Sequence, residues 1–309
     1  MNQSSTTKWL GAGIASLALA LAGCSSGTGN NDAQTAAPSS TAKAGASQAD
    51  HGTIKLGYVT WASCMAATNV MAATLEKAGY DVKTMSVTTG LLYAGLAQGD
   101  VDAMVCAWLP TTHHVYYAKT KDRLVNLGAN MKGTKIGLTV PTYVKIDSIA
   151  DLADKAVSKK FDNRIVGIDP GAGIMRATRK AIKAYNLPEK LVVGSGATMT
   201  AALGNAIRQH QPIVVTGWNP HWMWARYDLK YLEDPKGIYG KPENIDTLVR
   251  KGLKTDHPKA YRILDNFQWT ADDMRQVMKA DTQPGANRKA DAKAWVEAHP
   301  KKVDAWLGK

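Results

Sequence analysis

Short apolar runs rich in β-branched residues alternate with longer stretches whose apolar residues recur every three or four positions. That alternation limits the chain to an α/β architecture of parallel βα units. IKLGYV reads as a strand and ASCMAATNVMAATLEKAG as a helix that stops at Gly79. YDVKTMSV is a second strand, followed by the short helix LLYAGLAQG closed at Gly99, and VDAMVCA is a third strand. Further on, RIVGID precedes AGIMRATRKAIKAYNL, LVVG precedes TMTAALGNAIRQH, and PIVVTG runs into a tryptophan-rich segment. The C-terminal part, from HPKAYRILDNF through ADDMRQVMKAD to ANRKADAKAWVEAH, reads as three helices.

The body of the chain is too long for one compact core to be the default, so two lobes are expected. TKIGLTVPTYV and ENIDTLVRKGL are the candidate crossing strands between them. One lobe is placed at residues 52–140 plus 236–309 and the other at 141–235. A lobe assembled from two chain segments and hinged by two crossings is the build of a clamshell that closes on a ligand.

The N-terminus carries a different signal. MNQSSTTKWLGAGIASLALALAGCSS has one early Lys before an apolar run too short to span a membrane comfortably, then small residues, which is the order of a secretory signal over residues 1–23. Leu21-Ala22-Gly23-Cys24 resembles a bacterial lipobox, which implies cleavage before Cys24 and a lipid on its sulfur. Residues 24–51 are Ser, Thr, Ala, Gly, Asn and Gln with almost no large apolar side chain, so they form a flexible tether. The expected protein is a body held by lipid on the outer face of the cell membrane. Its formal net charge of +12 is spread through KAGYDVK, VSKKFDNR and HPKK with no basic stripe interleaved with aromatics. A basic surface facing an anionic envelope follows, and a nucleic-acid partner does not. With Cys24 lipidated, Cys64 and Cys106 remain as a disulfide or as two free thiols, and sequence leaves both open.

The tryptophans carry the functional signal. Trp61 follows IKLGYVT, Trp108 follows VDAMVCA and Trp218 follows PIVVTG. In open α/β sheets ligands bind at the carboxyl ends of strands, and three strands here deliver an indole to that kind of place. Trp295 and Trp306 are expected as core, and Trp222 and Trp224 as packing behind Trp218. A cage of indole faces suits a quaternary ammonium, which has no N–H to donate and is drawn to the ring quadrupole by ~0.5–2 kcal/mol per contact. A sugar would stack on the same rings but would need several polar side chains beside them, and VTWASC and CAWLPTT offer few. GIDPGAGIMRATRK supplies a helix start at Gly171-Ala172-Gly173 whose first N–H groups are free to take an anion. It lacks the third glycine of a dinucleotide fingerprint. His113, five residues past Trp108, offers one more donor.

GYVTW, AWLPTTHH, GIDPGAGI and GWNPHWM together resemble the glycine betaine-binding lipoproteins of ABC importers, and the likeness runs from about Thr53 to Lys309. The resemblance implies a periplasmic-binding-protein-like (type II) clamshell with no enzymatic activity, no metal and no cofactor. By position it implies a trimethylammonium prism of Trp61, Trp108 and Trp218, and a carboxylate held by the N–H groups of Gly173 and Ile174 and by His113. Its implied partners are glycine betaine or a related quaternary ammonium, a membrane permease and a cytoplasmic ATPase, with the binding protein itself a monomer. Cys64 and Cys106, beside two of the cage tryptophans, are not a feature associated with that family. Proline betaine, carnitine or choline are the ligand alternatives. A secreted hydrolase would use His113 or His221 as base with Cys64, Ser63 or Asp169 in support, but the chain has no GxSxG elbow or HExxH helix. A cell-wall protein offering its tryptophans to polysaccharide is the third reading.

Overall fold

The computed structural model describes residues 52–309; the signal segment, Cys24 and the tether lie outside the described residues. The chain opens with β1 (Thr53–Tyr58), α1 (Ala62–Lys77), β2 (Asp81–Ser86), α2 (Thr89–Gln98) and β3 (Ala103–Leu109). After α3 (His114–Thr120) comes the long β4 (Leu124–Pro141). Next are α4 (Lys155–Lys159), β5 (Arg164–Val166), α5 (Gly173–Ala184), β6 (Lys190–Val192), α6 (Gly196–Arg208) and β7 (Val215–Asn219). The short α7 (Met223–Arg226) and β8 (Leu229–Tyr231) lead to β9 (Glu243–Arg250). The chain closes with α8 (Leu253–Asp256), α9 (Pro258–Asn266), α10 (Ala271–Ala280), α11 (Arg288–Ala298) and α12 (Pro300–Leu307).

The strands run in the order β2-β1-β3-β9-β4-β7-β5-β6, with β8 also on β4. β1 pairs in parallel with β2 and β3, and β5 pairs in parallel with β6 and β7, as βα units require. The sheet as a whole is mixed, because β9 runs antiparallel to β3 and β4, and β4 runs antiparallel to β7 and β8. The βα units are parallel as expected, and every antiparallel pairing involves β4 or β9. β4 joins the two groups of strands: its first half pairs with β9 and its last residues, from Lys135, pair with β7. That first half, LVNLGANMK, was not legible as strand. Three register shifts against β9 break its period-two alternation, with Gly128 and Gly133 at φ +93° and +76°.

α1 is buried along most of its length, with Ala66, Ala67, Val70, Met71 and Leu75 fully enclosed between β3 on one side and α10 and α11 on the other. α2 ends where Gly99 takes the left-handed conformation at φ +86°. The C-terminal part holds more helix than the three expected. α8 and α12 are additional, and α12 begins at Pro300, which occupies the first turn where its missing N–H costs nothing. Trp306 in α12 is buried, sets its ring edge-on to Phe267 at 4.9 Å and donates its Nε1–H to the Gln268 carbonyl at 3.0 Å. Trp295 is likewise buried, its indole donating to Gln276 Oε1 at 3.1 Å, so both are core as expected.

Candidate ligand site

Each wall of the site is set by local chemistry. Trp61 sits at the start of α1 in an extended conformation, its backbone N–H turned back to the Val59 carbonyl at 2.7 Å. One turn into α1, Cys64 is joined by a disulfide to Cys106 of β3, which settles the alternative the sequence left open. Trp108 lies inside β3 rather than after it, and Trp218 lies inside β7. Both strands run two residues further than their apolar patterns indicate, which corrects the placement of these two indoles. Trp224 donates its Nε1–H to the Trp218 carbonyl at 2.8 Å, so it braces that wall from behind, while Trp222 lies half-buried beside His221.

The chain turns sharply after Trp108 and comes back to it. The His113 N–H donates to the Trp108 carbonyl at 2.8 Å, and the Trp108 N–H donates to His113 Nδ1 at 3.1 Å. Glu243, at the start of β9, gathers the intervening turn: the N–H groups of Thr111 and Thr112 donate to it at 2.9 and 3.0 Å, and the Thr112 hydroxyl also donates to it. Because Nδ1 of His113 accepts, the ring proton belongs on Nε2. Burial, with a smaller contribution from Arg176, pulls the His113 pKa down to about 3. The ring is therefore a neutral donor at physiological pH.

Trp61, Trp108, Trp218, His113, Gly173 and Ile174 all line one cavity, together with Ser63, Thr112, Ile136, Ile168 and Ala172. The cavity is small and partly open to solvent. The Trp61 and His113 rings lie tilted at 43° with centroids 5.5 Å apart. The Trp218 ring is held edge-on by His221 at 4.6 Å. In the same lining α5 begins at Gly173, and the N–H groups of Gly173 and Ile174 have no acceptor among the described residues. Such a helix start presents donors and a partial positive charge to an anion. The cavity thus brings indole rings and free N–H donors to one lining.

Several residues around this cavity escaped the sequence reading. The Trp61 Nε1–H donates to Asp169 Oδ2 at 2.6 Å, the Tyr116 hydroxyl donates to the Gly171 carbonyl at 2.7 Å, and Arg176 Nη2 donates to the Thr112 carbonyl at 2.7 Å. The Arg176 guanidinium also lies 4.9 Å from the centre of the Tyr116 ring. These bonds tie the start of α1, the turn after β3 and α3 to the loop after β5 and to α5. Glycine at 173 makes that approach possible, because a Cβ there would lie 2.1 Å from the Thr112 carbonyl oxygen. Only the run DPGAG hinted at such closeness; the partners, far away in sequence, left no local mark. Cys64, one of the groups weighed for a hydrolase, is consumed in the disulfide.

The α/β sheet with a small cavity between the ends of its two groups of strands defines a substrate-binding protein of the type II, two-lobed class. Residues 52–298 match the family described as the substrate binding domain of ABC-type glycine betaine transport systems, and the chain belongs to that family. It is a family of binding proteins, not of enzymes. The chain is 50% identical over 157 residues to the glycine betaine/carnitine transport binding protein GbuC of Listeria monocytogenes, a match covering 50% of this chain and 52% of that one. The match thus spans about half the length of that relative. Lactococcal OpuAC, solved in its closed, liganded conformation with glycine betaine, is 45% identical with a TM-score of 0.78, covering 83% of this chain and 99% of that one. The glycine/betaine/L-proline-binding protein ProX of Borrelia burgdorferi is 40% identical with a TM-score of 0.79, covering 82% and 96%. No described helix is long and apolar enough to cross a membrane.

Proposed function

We propose that this protein captures glycine betaine outside the cell and hands it to a membrane permease driven by a cytoplasmic ATPase, as part of osmoprotection. The observation that carries the reading is the pairing, in one cavity, of three indole walls with two unpartnered helix-start amides and a neutral His113 donor. The trimethylammonium group sits among Trp61, Trp108 and Trp218. The carboxylate is received by Gly173, Ile174 and His113. The lobes at residues 52–140 plus 236–309 and 141–235 close on the ligand, and the bonds from Asp169, Tyr116 and Arg176 hold them together. Cys24 anchors the protein to the outer face of the membrane by its lipid, and the tether lets the body reach the permease.

Choline separates the two halves of this reading, because it shares the ammonium group and lacks the carboxylate. Charge-assisted hydrogen bonds contribute ~1.5–3 kcal/mol, so choline should bind about 10- to 100-fold more weakly than glycine betaine. The test is a titration of residues 51–309 with each ligand, followed by calorimetry and tryptophan fluorescence together. Saturable glycine betaine binding with a fluorescence change, and choline binding weaker by that factor, is the expected result. Equal affinities would overturn the carboxylate assignment. Silence with both ligands would overturn the function.

A further inference from the structure

Asp169 does not line the cavity, yet its carboxylate accepts the Nε1–H of the cavity wall Trp61 at 2.6 Å. Among the described residues it makes no ion pair. The nearby guanidinium groups are directed to backbone carbonyls instead: Arg176 to Thr112 and Arg179 to Pro170. A negative charge therefore stands at the edge of one indole of the cage without a cation of its own. We propose that Asp169 sets the preference of the cavity for a cationic over a neutral head group, and that it does so through the Trp61 ring without touching the ligand. The proposal rests on the quaternary-ammonium reading of the site given above.

Two effects act in the same direction. A hydrogen bond from an N–H to a carboxylate is charge-assisted, and it leaves the donor's ring richer in electron density. The attraction of a cation to an indole face comes from that ring's negative quadrupole, so an enriched face attracts it more strongly. The carboxylate, at the edge of the ring, also acts directly on whatever charge lies against the indole face. Both effects favour an ammonium and disfavour an anion at the indole end. A zwitterion is consequently oriented with its carboxylate toward Gly173, Ile174 and His113. Of the cavity's three tryptophans, Trp61 is the one whose indole N–H is bound to a carboxylate, so the charge preference is built into that wall.

The test compares glycine betaine with 3,3-dimethylbutanoate, which has the same shape and carboxylate but carbon in place of the charged nitrogen. Affinities for both are measured by calorimetry on residues 51–309 as wild type, Asp169→Asn and Trp61→Phe, with circular dichroism confirming each fold. Asn at 169 keeps an oxygen acceptor for the indole and removes the charge. The expected result is that the preference for glycine betaine over its neutral-headed analogue falls about tenfold in Asp169→Asn, with the analogue binding no worse than to wild type. Trp61→Phe keeps an aromatic wall and removes the N–H, and an unchanged ratio there overturns the proposal even if Asp169→Asn does not fold. Equal weakening of both ligands in Asp169→Asn would overturn the proposal, since Asp169 would then only hold Trp61 in place. An unchanged ratio in either folded variant would overturn it as well. Wild type failing to bind glycine betaine would sink the proposed function and this inference with it, whereas a preserved ratio sinks the inference alone.

Discussion

The Cys64–Cys106 disulfide gives the most quantitative prediction. It joins the first turn of α1 to β3, three residues from Trp61 and two from Trp108, with both half-cystines buried. The bond closes a loop spanning a sequence separation of 42. Cross-linking a loop of that size removes about 13 cal/mol/K from the unfolded chain by the chain-entropy relation, or about 4 kcal/mol at 25 °C. Cys64→Ala/Cys106→Ala should therefore lose about 4 kcal/mol, measured by urea unfolding of residues 51–309 followed by circular dichroism. For a chain of this size the melting temperature should fall by roughly 8–16 °C. The urea m-value should rise, because an uncross-linked unfolded chain exposes more surface. Wild type unfolded, reduced and refolded with its thiols blocked from oxidation should match the double variant, which separates the cross-link from the packing of two sulfurs. A loss below about 1 kcal/mol with an unchanged m-value would refute the reasoning, because it would mean that the bond does not restrict the unfolded state.

Two further outcomes follow from the site. Gly173→Ala places a Cβ against the Thr112 carbonyl, where no side chain can yield, so calorimetry should show glycine betaine binding weakened at least tenfold while the ligand-free melting temperature stays within a few degrees of wild type; wild-type affinity in this variant would refute the close approach. His221 accepts the Met223 N–H on Nδ1, and burial brings its pKa down to about 3, against about 6.5 in the unfolded chain. The unfolded state therefore binds the extra proton between those values, and stability falls as the pH drops through that window. From pH 7 to pH 5 the loss from this one residue is about 2 kcal/mol. Asp281, which burial raises to about 6, acts in the opposite direction and does so equally in wild type and in His221→Asn. Urea midpoints at the two pH values should thus fall more steeply for wild type than for His221→Asn, and parallel curves would refute the assignment.

What the sequence made legible and what it hid divide along a physical line. Strand and helix periodicities report which face of a short segment is buried, so the βα units around α1, α2, α5 and α6 could be read directly. The position of three indoles relative to three strands is also local information, and the structure brings all three to one cavity. Pairings between distant segments have no such period. The bond between Trp61 and Asp169 spans 108 residues and the grip of Glu243 on the Thr111–Thr112 turn spans more than 130, and neither leaves a pattern in its own neighbourhood. The first half of β4 was hidden for a different reason, since its register shifts erase the alternation by which a strand is recognised. Of the residues missed around the cavity, Thr112, Ile136, Ile168 and Ala172 form its walls, while Asp169, Tyr116, Arg176 and Glu243 hold them. A wall must present a particular surface, and that demand selects a residue type that sequence displays. A support needs only one acceptor at the right point, and an Asp, a Glu or a backbone carbonyl from anywhere in the chain can supply it.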